Sequence, residues 1–156
     1  MNGPPFHDLD DEFQKWFDGD NVSLEEWITS AGSLADLAAY GAIFWPEFVE
    51  YDGCVFRADF SEPFYRARLL ENGGDKQAAE ALINHKHILD IFGKPDARGK
   101  LPSRELVIYA GRLLRDIWQT KLNHDFPNRR IVVEFFPENP ESLIDYQLTF
   151  YQEHTG

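Results

Sequence analysis

Phe48-Val49-Glu50-Tyr51-Asp52-Gly53-Cys54-Val55-Phe56-Arg57 is the stretch whose reading decides the fold. Two runs of β-forming residues flank Asp-Gly, the dipeptide suited to a two-residue type I′ turn because both central positions need positive φ. Once the turn is fixed, so is the register: Tyr51 opposes Cys54, Val49 opposes Phe56, Glu50 opposes Val55 and Phe48 opposes Arg57. Side chains alternate between faces along a strand. The face bearing Val49, Tyr51, Cys54 and Phe56 is therefore the expected core side, with Cys54 a small buried hydrophobe beside the turn.

A second pair of strands is expected near the carboxyl end. Residues 130–136 and 145–151 both alternate apolar and polar positions, and the intervening loop, rich in Pro, Glu and Asn, is short enough for an antiparallel connection. Between and before these pairs the spacing is helical. Ser23-Leu24-Glu25-Glu26 matches a capping box, and Ser33 opens a further helix that Pro46 ends. Apolar spacing also predicts a helix from Asp8 to Phe17. Residues 62–72 read as a helix stopped by Gly73-Gly74, and Asp75 caps another expected to run to Phe92. On that helix Ala78, Ala81, Leu82, His85, Ile88, Leu89 and Phe92 share one stripe, which predicts a buried His85. The longest helix begins after Pro102-Ser103, with Leu106, Val107, Ala110, Leu113, Leu114, Ile117 and Trp118 as its inner arc. The fold class is α+β: a mostly helical single domain, residues 1–156, with a small antiparallel sheet from two β-hairpins packed against amphipathic helices. Residues 1–7 read as a loose arm.

The 156 residues include 13 Phe, 6 Tyr and 4 Trp, which excludes a chain too polar to collapse. One cysteine excludes an internal disulfide. No apolar run reaches the ~18 residues of a membrane span, and the amino terminus carries neither the basic nor the apolar part of a secretory signal. A cytoplasmic protein is the expectation. The net charge of −12 is concentrated in one part of the chain. Residues 1–62 hold 14 Asp and Glu against Lys15 and Arg57 alone, while the remainder is balanced. Such a block repels nucleic-acid phosphate and attracts basic partners; its plain alternative is a solubilising surface.

Few residues offer chemistry. From a regular helix His85 and His87, two apart, would point about 200° away from each other and could not share an ion. His87 with Asp90, and Glu80 two turns earlier on the same side of a helix, would be two or three ligands without a recognised metal spacing. Cys54 sits among Glu50, Asp52 and Asp59, a setting that opposes a reactive thiolate. No phosphate-cradling loop, nucleophile elbow or dinucleotide fingerprint occurs. The expectation is no catalytic residue, no metal and no cofactor.

The function read from these features is a small acidic binding protein that docks a basic protein partner. Its specific form is a toxin-neutralising immunity or antitoxin-type inhibitor, with a toxin or nuclease as partner, since acidic inhibitors of basic enzymes gain fast association from charge. The expected acidic face is Asp10, Asp11, Asp18, Asp20, Glu25, Glu50 and Asp52, with Trp16 and Trp27 as aromatic anchors. Direct binding of nucleic acid or membrane is not expected; a homo-oligomer paired through hairpin edges is a further option. The alternative is a small enzyme with a carboxylate/His site near the 48–57 hairpin and the 75–92 helix.

Overall fold

Side-chain caps set most of the helix starts. The computed structural model describes residues 23–93, 101–137 and 141–153; the helix expected over 8–17 and the arm at 1–7 lie outside them. Ser23 caps α1 (Leu24–Ala31), its hydroxyl accepting from Glu26 N–H while the Glu26 carboxylate accepts from Ser23 N–H at 2.8 Å. Ser33 caps α2 (Leu34–Phe44) in the same way through Asp36 N–H. The hairpin follows as β1 (Phe48–Tyr51) and β2 (Cys54–Arg57), in the expected register. Asp52 and Gly53 take φ of 53° and 78°, as a type I′ turn requires. Next come α3 (Glu62–Glu71), with Gly73 and Gly74 at positive φ beyond its end, and α4 (Lys76–Asn84), capped by Asp75.

The expected helix from Asp75 to Phe92 is broken. α4 ends at Asn84, His85 is extended (φ −69°, ψ 143°), and Lys86–His87 form a short strand, β3, before α5 (Ile88–Phe92). The break has a hydrogen-bonding cause. Asn84 donates its side-chain amide to Val55 O (2.8 Å) and Phe150 O (3.3 Å), β3 pairs with the last sheet, and Ile88 N–H donates to Tyr146 O. A continuous helix would forgo these long-range bonds. The expected stripe is displaced as well. α4 turns Ala79, Glu80 and Asn84 inward, whereas Leu82 and His85 are exposed.

α6 (Arg104–Asp125) is the long helix, capped by Ser103 and burying Val107, Gly111, Leu114, Trp118 and Leu122. β4 (Ile131–Phe136) and β5 (Gln147–Gln152) are antiparallel, with a 3₁₀ turn at Leu143–Asp145 between them. The described residues form a single α+β domain with two small antiparallel sheets, β1-β2 and β3-β5-β4. α6 lies on the larger sheet, where Trp118, Leu114, Ile131, Val133, Leu148 and Phe150 form the main core. The hairpin is packed on both faces, not one. Phe48 and Val55 enter the main core, while Cys54 and Phe56 join Tyr65 and Ala79 in a second cluster under α3 and α4.

Candidate functional site

Two regions combine exposed chemistry with a defined shape. The first is built by α1 and α2. Nine of the eleven residues of α2 are Leu, Ile, Phe, Tyr or Ala, yet none is buried. Leu34 is 84% exposed and Leu37 66%, with Ile28 of α1 and Tyr40 about half exposed. α2 is held at its carboxyl end: Trp118 Nε1–H donates to Ile43 O at 2.9 Å, and Phe44 and Tyr40 contact Phe92 with ring centroids 6.1 Å apart. Beside that anchorage Tyr40, Phe44, Leu89, Phe92, Leu106 and Leu113 line an apolar groove of about 420 Å³ between α2, α5 and α6. The exposed carboxylates of Glu25, Glu26 and Asp36 edge these helices, and no Lys or Arg occurs between Lys15 and Arg57.

The expected acidic face is only partly represented there. Asp10, Asp11, Asp18, Asp20 and Trp16 lie outside the described residues, as does the side chain of Trp27. Glu25 is exposed on α1. Glu50 and Asp52 sit apart on the hairpin, where each has an internal partner. Glu50 pairs with Arg129, whose guanidinium also donates to Gly53 O and Gln152 Oε1. Asp52 accepts from Lys76 Nζ (3.0 Å) and Tyr65 Oη (2.9 Å); the Lys76 bond, then the Tyr65 bond, holds its carboxyl below the ordinary value. Both acids fasten the turn to neighbouring elements. The apolar character of α2, visible in the sequence as Leu34, Leu37 and Tyr40, is the signal that charge-based reasoning passed over.

The second region is a polar pocket of about 340 Å³ between the end of β2 and the α4–β3 junction. Arg57 and Asp59 line it from the hairpin side, His85, His87 and Asp90 from the other. These are the elements named for a carboxylate/His site. Because residues 85–87 are extended, their alternate side chains share a side, and the His85 and His87 rings lie 5.6 Å apart, nearly perpendicular. His85 Nδ1 is 2.6 Å from Leu82 O and His87 Nδ1 2.7 Å from Ile144 O. A carbonyl only accepts, so both rings carry their proton on Nδ1 when neutral. Among the described residues no group of three or more His, Cys, Asp or Glu side chains is arranged to hold a metal ion.

Cys54 is fully buried, 3.7 Å from Tyr65 Oη, and burial pushes its thiol up, away from the nucleophilic thiolate. Glu80 is fully buried too, but its oxygens are engaged: Oε1 accepts from Val55 N–H (2.6 Å) and Oε2 from Gln152 N–H (2.8 Å). With Asn84 it links the outward edge of β2 to the stretch of β5 that β3 leaves unpaired, a structural task. Among the described residues no helix is long and apolar enough to cross a membrane. Compared with known protein families, curated proteins and solved structures, the chain matches none, so the functional reading rests on its own geometry.

Proposed function

We propose that the protein is a binding module whose α1–α2 face and adjoining groove hold a basic, amphipathic helical segment of a partner protein. The observation that carries this reading is α2, an eleven-residue helix with a single charged residue, Asp36, that buries no residue of its own. Leaving Leu34, Leu37, Tyr40 and Ile28 in water forgoes about 1.5–3 kcal/mol for each side chain that a partner would bury. A groove between helices suits a helix whose apolar residues recur at i, i+3 and i+4. The edging acids, unopposed by any cation over residues 16–56, favour a partner whose other face is basic. The inhibitor form of the proposal, neutralisation of a basic toxin or nuclease, follows from the same complementarity: occupying a basic surface blocks access of anionic substrate to it.

The test uses two synthetic helical peptides with identical Leu faces, one with Lys and one with Glu elsewhere, titrated into the full chain by NMR. The Lys peptide should shift resonances of α2 and of Leu89, Leu106 and Leu113. Its affinity should fall with salt, because interactions between exposed charges are screened beyond about 8 Å at physiological ionic strength. Leu37→Asp should abolish binding without unfolding the protein, since Leu37 is exposed. Equal binding of both peptides, binding of neither, or a dimer in sedimentation that Leu37→Asp dissociates would overturn the proposal.

A further inference from the structure

We propose that His85 and His87 are a two-histidine site for a divalent transition-metal ion of the Zn²⁺ type, with its open coordination positions facing the polar pocket. The inference stands on the geometry of β3 and is independent of the α2 face. Three observations carry it. The first is spacing: alternate residues of an extended segment project to the same side, the arrangement that a helical reading of Asn84-His85-Lys86-His87 forbids. The second is separation. Two imidazoles that bind one ion through Nε2 at ~2.0–2.1 Å place their ring centroids about 5–6.5 Å apart, depending on the angle at the metal. The observed 5.6 Å falls inside that range.

The third is the state of the other nitrogen. Metal-binding histidines almost always donate their second ring N–H to a carbonyl, carboxylate or water, which fixes tautomer and orientation. Both rings already do so, His85 to Leu82 O and His87 to Ile144 O, from two different segments of the chain. The Nε2 lone pairs are thereby kept as the ligating atoms, in rings whose rotation is restrained before any ion arrives. Borderline-soft imidazole selects Zn²⁺, Co²⁺, Ni²⁺ or Cu²⁺ over Mg²⁺ or Ca²⁺. Only two ligands come from the described residues, so water or a donor from a substrate or partner completes the shell. Asp59 and Asp90 line the same pocket, but Arg57, paired with Asp59 at 3.0 Å, and Lys86 line it too and balance their charge, so the ion is held by the imidazoles rather than by the field of the pocket.

Long-range ¹H–¹⁵N NMR on the full chain reads the imidazole tautomers directly, and titration with Zn²⁺, Co²⁺ and Mg²⁺ reads binding. Both His85 and His87 should be Nδ1–H tautomers at neutral pH. Zn²⁺ should shift their Nε2 resonances at a one-to-one ratio, Co²⁺ should compete, and Mg²⁺ should do neither. His85→Ala and His87→Ala should each weaken Zn²⁺ binding at least about tenfold, a loss of the order seen when even an outer partner is removed. His124→Ala, in the last turn of α6, should leave it unchanged. Because His87 also bonds Ile144 O, far-UV circular dichroism checks each variant, and His85→Ala alone suffices if His87→Ala unfolds. Nε2–H tautomers, no shift of either ring by about 1 mM Zn²⁺, or binding that survives loss of both histidines would overturn the site.

Discussion

Replacing Glu80 with Gln tests whether α4 holds the two sheets together. Glu80 is fully buried, and its two oxygens accept from Val55 N–H of β2 and Gln152 N–H of β5. Burial pushes its carboxyl above the ordinary value of 4.5, against the opposing pull of the Gln152 and Val55 N–H groups and of Arg129. A glutamine has the same shape but one acceptor, so its amide nitrogen must face one of the two N–H donors. A buried N–H left without an acceptor costs about 1–3 kcal/mol, and Glu80→Ala, which orphans both, about 2–6 kcal/mol. With a urea m-value near 2 kcal/mol/M, Glu80→Gln should lower the midpoint by about 0.5–1.5 M. Fluorescence of the buried Trp118 provides the signal. The pH dependence supplies a second, independent reading. A raised folded-state value means that the native protein binds the Glu80 proton more tightly than the unfolded chain. The stability contributed by that proton is full below 4.5 and is lost as pH rises through the folded value. Glu80→Gln should remove this downward limb while lowering stability overall. A midpoint within about 0.25 M of wild type, or an unchanged slope of stability against pH, would refute the reasoning.

Gly111 lies where α6 touches β4, and a Cβ there would stand 2.2 Å from Phe135 Cε2. Gly111→Ala should therefore destabilise by about 1–3 kcal/mol despite the helix propensity gained, and Phe135→Leu should recover part of the loss in the double variant; a more stable Gly111→Ala protein would show that the helix lifts off the sheet at no cost. Asp52, with its carboxyl held below 3.8 by Lys76 and Tyr65, contributes stability present above that value and lost as pH falls through the lowered one. Asp52→Asn should flatten the acid limb of the stability curve below about pH 4, opposite in sign to the Glu80 effect, and an unaltered limb in chemical denaturation would count against it.

The hairpin was legible because one local interaction dominates it: Asp52-Gly53 fixes turn type, turn type fixes register, and register needs no knowledge of the rest of the chain. The capped helices were legible for the same reason, Ser23, Ser33, Asp75 and Ser103 each bonding within three residues of themselves. What the sequence concealed depends on distant partners. Hydrophobic periodicity carried α4 through to Phe92 because Ile88, Leu89 and Phe92 of α5 happen to continue its phase. The interruption at residues 84–87 is written in bonds to Val55, Phe150, Leu148 and Tyr146, all at least 29 positions away. Nor did periodicity distinguish an inward apolar residue from an inward polar one. Leu82 lies on the apolar stripe and Glu80 does not, yet Leu82 is exposed and Glu80 buried, because the N–H groups on the sheets' unpaired edges demand the acceptors that its carboxylate supplies.

That one misread junction also governs the chemistry assigned to the chain. On a helix the two histidines diverge and each is an ordinary surface side chain; in the extended segment 85–87 they stand together with their Nδ1 protons already committed. The same logic applies to α2 with the sign reversed. Its apolar spacing correctly predicts a helix, but periodicity does not say whether the fold supplies anything to cover it, and here the described residues cover only its carboxyl end at Ile43 and Phe44. An element that satisfies every local rule for forming, and then goes unburied, is retained at a cost in stability. A partner that buried Leu34, Leu37 and Tyr40 would recover that cost as affinity, so the exposed apolar face of α2 is a stronger ground for a binding function than the acidic charge of the same part of the chain.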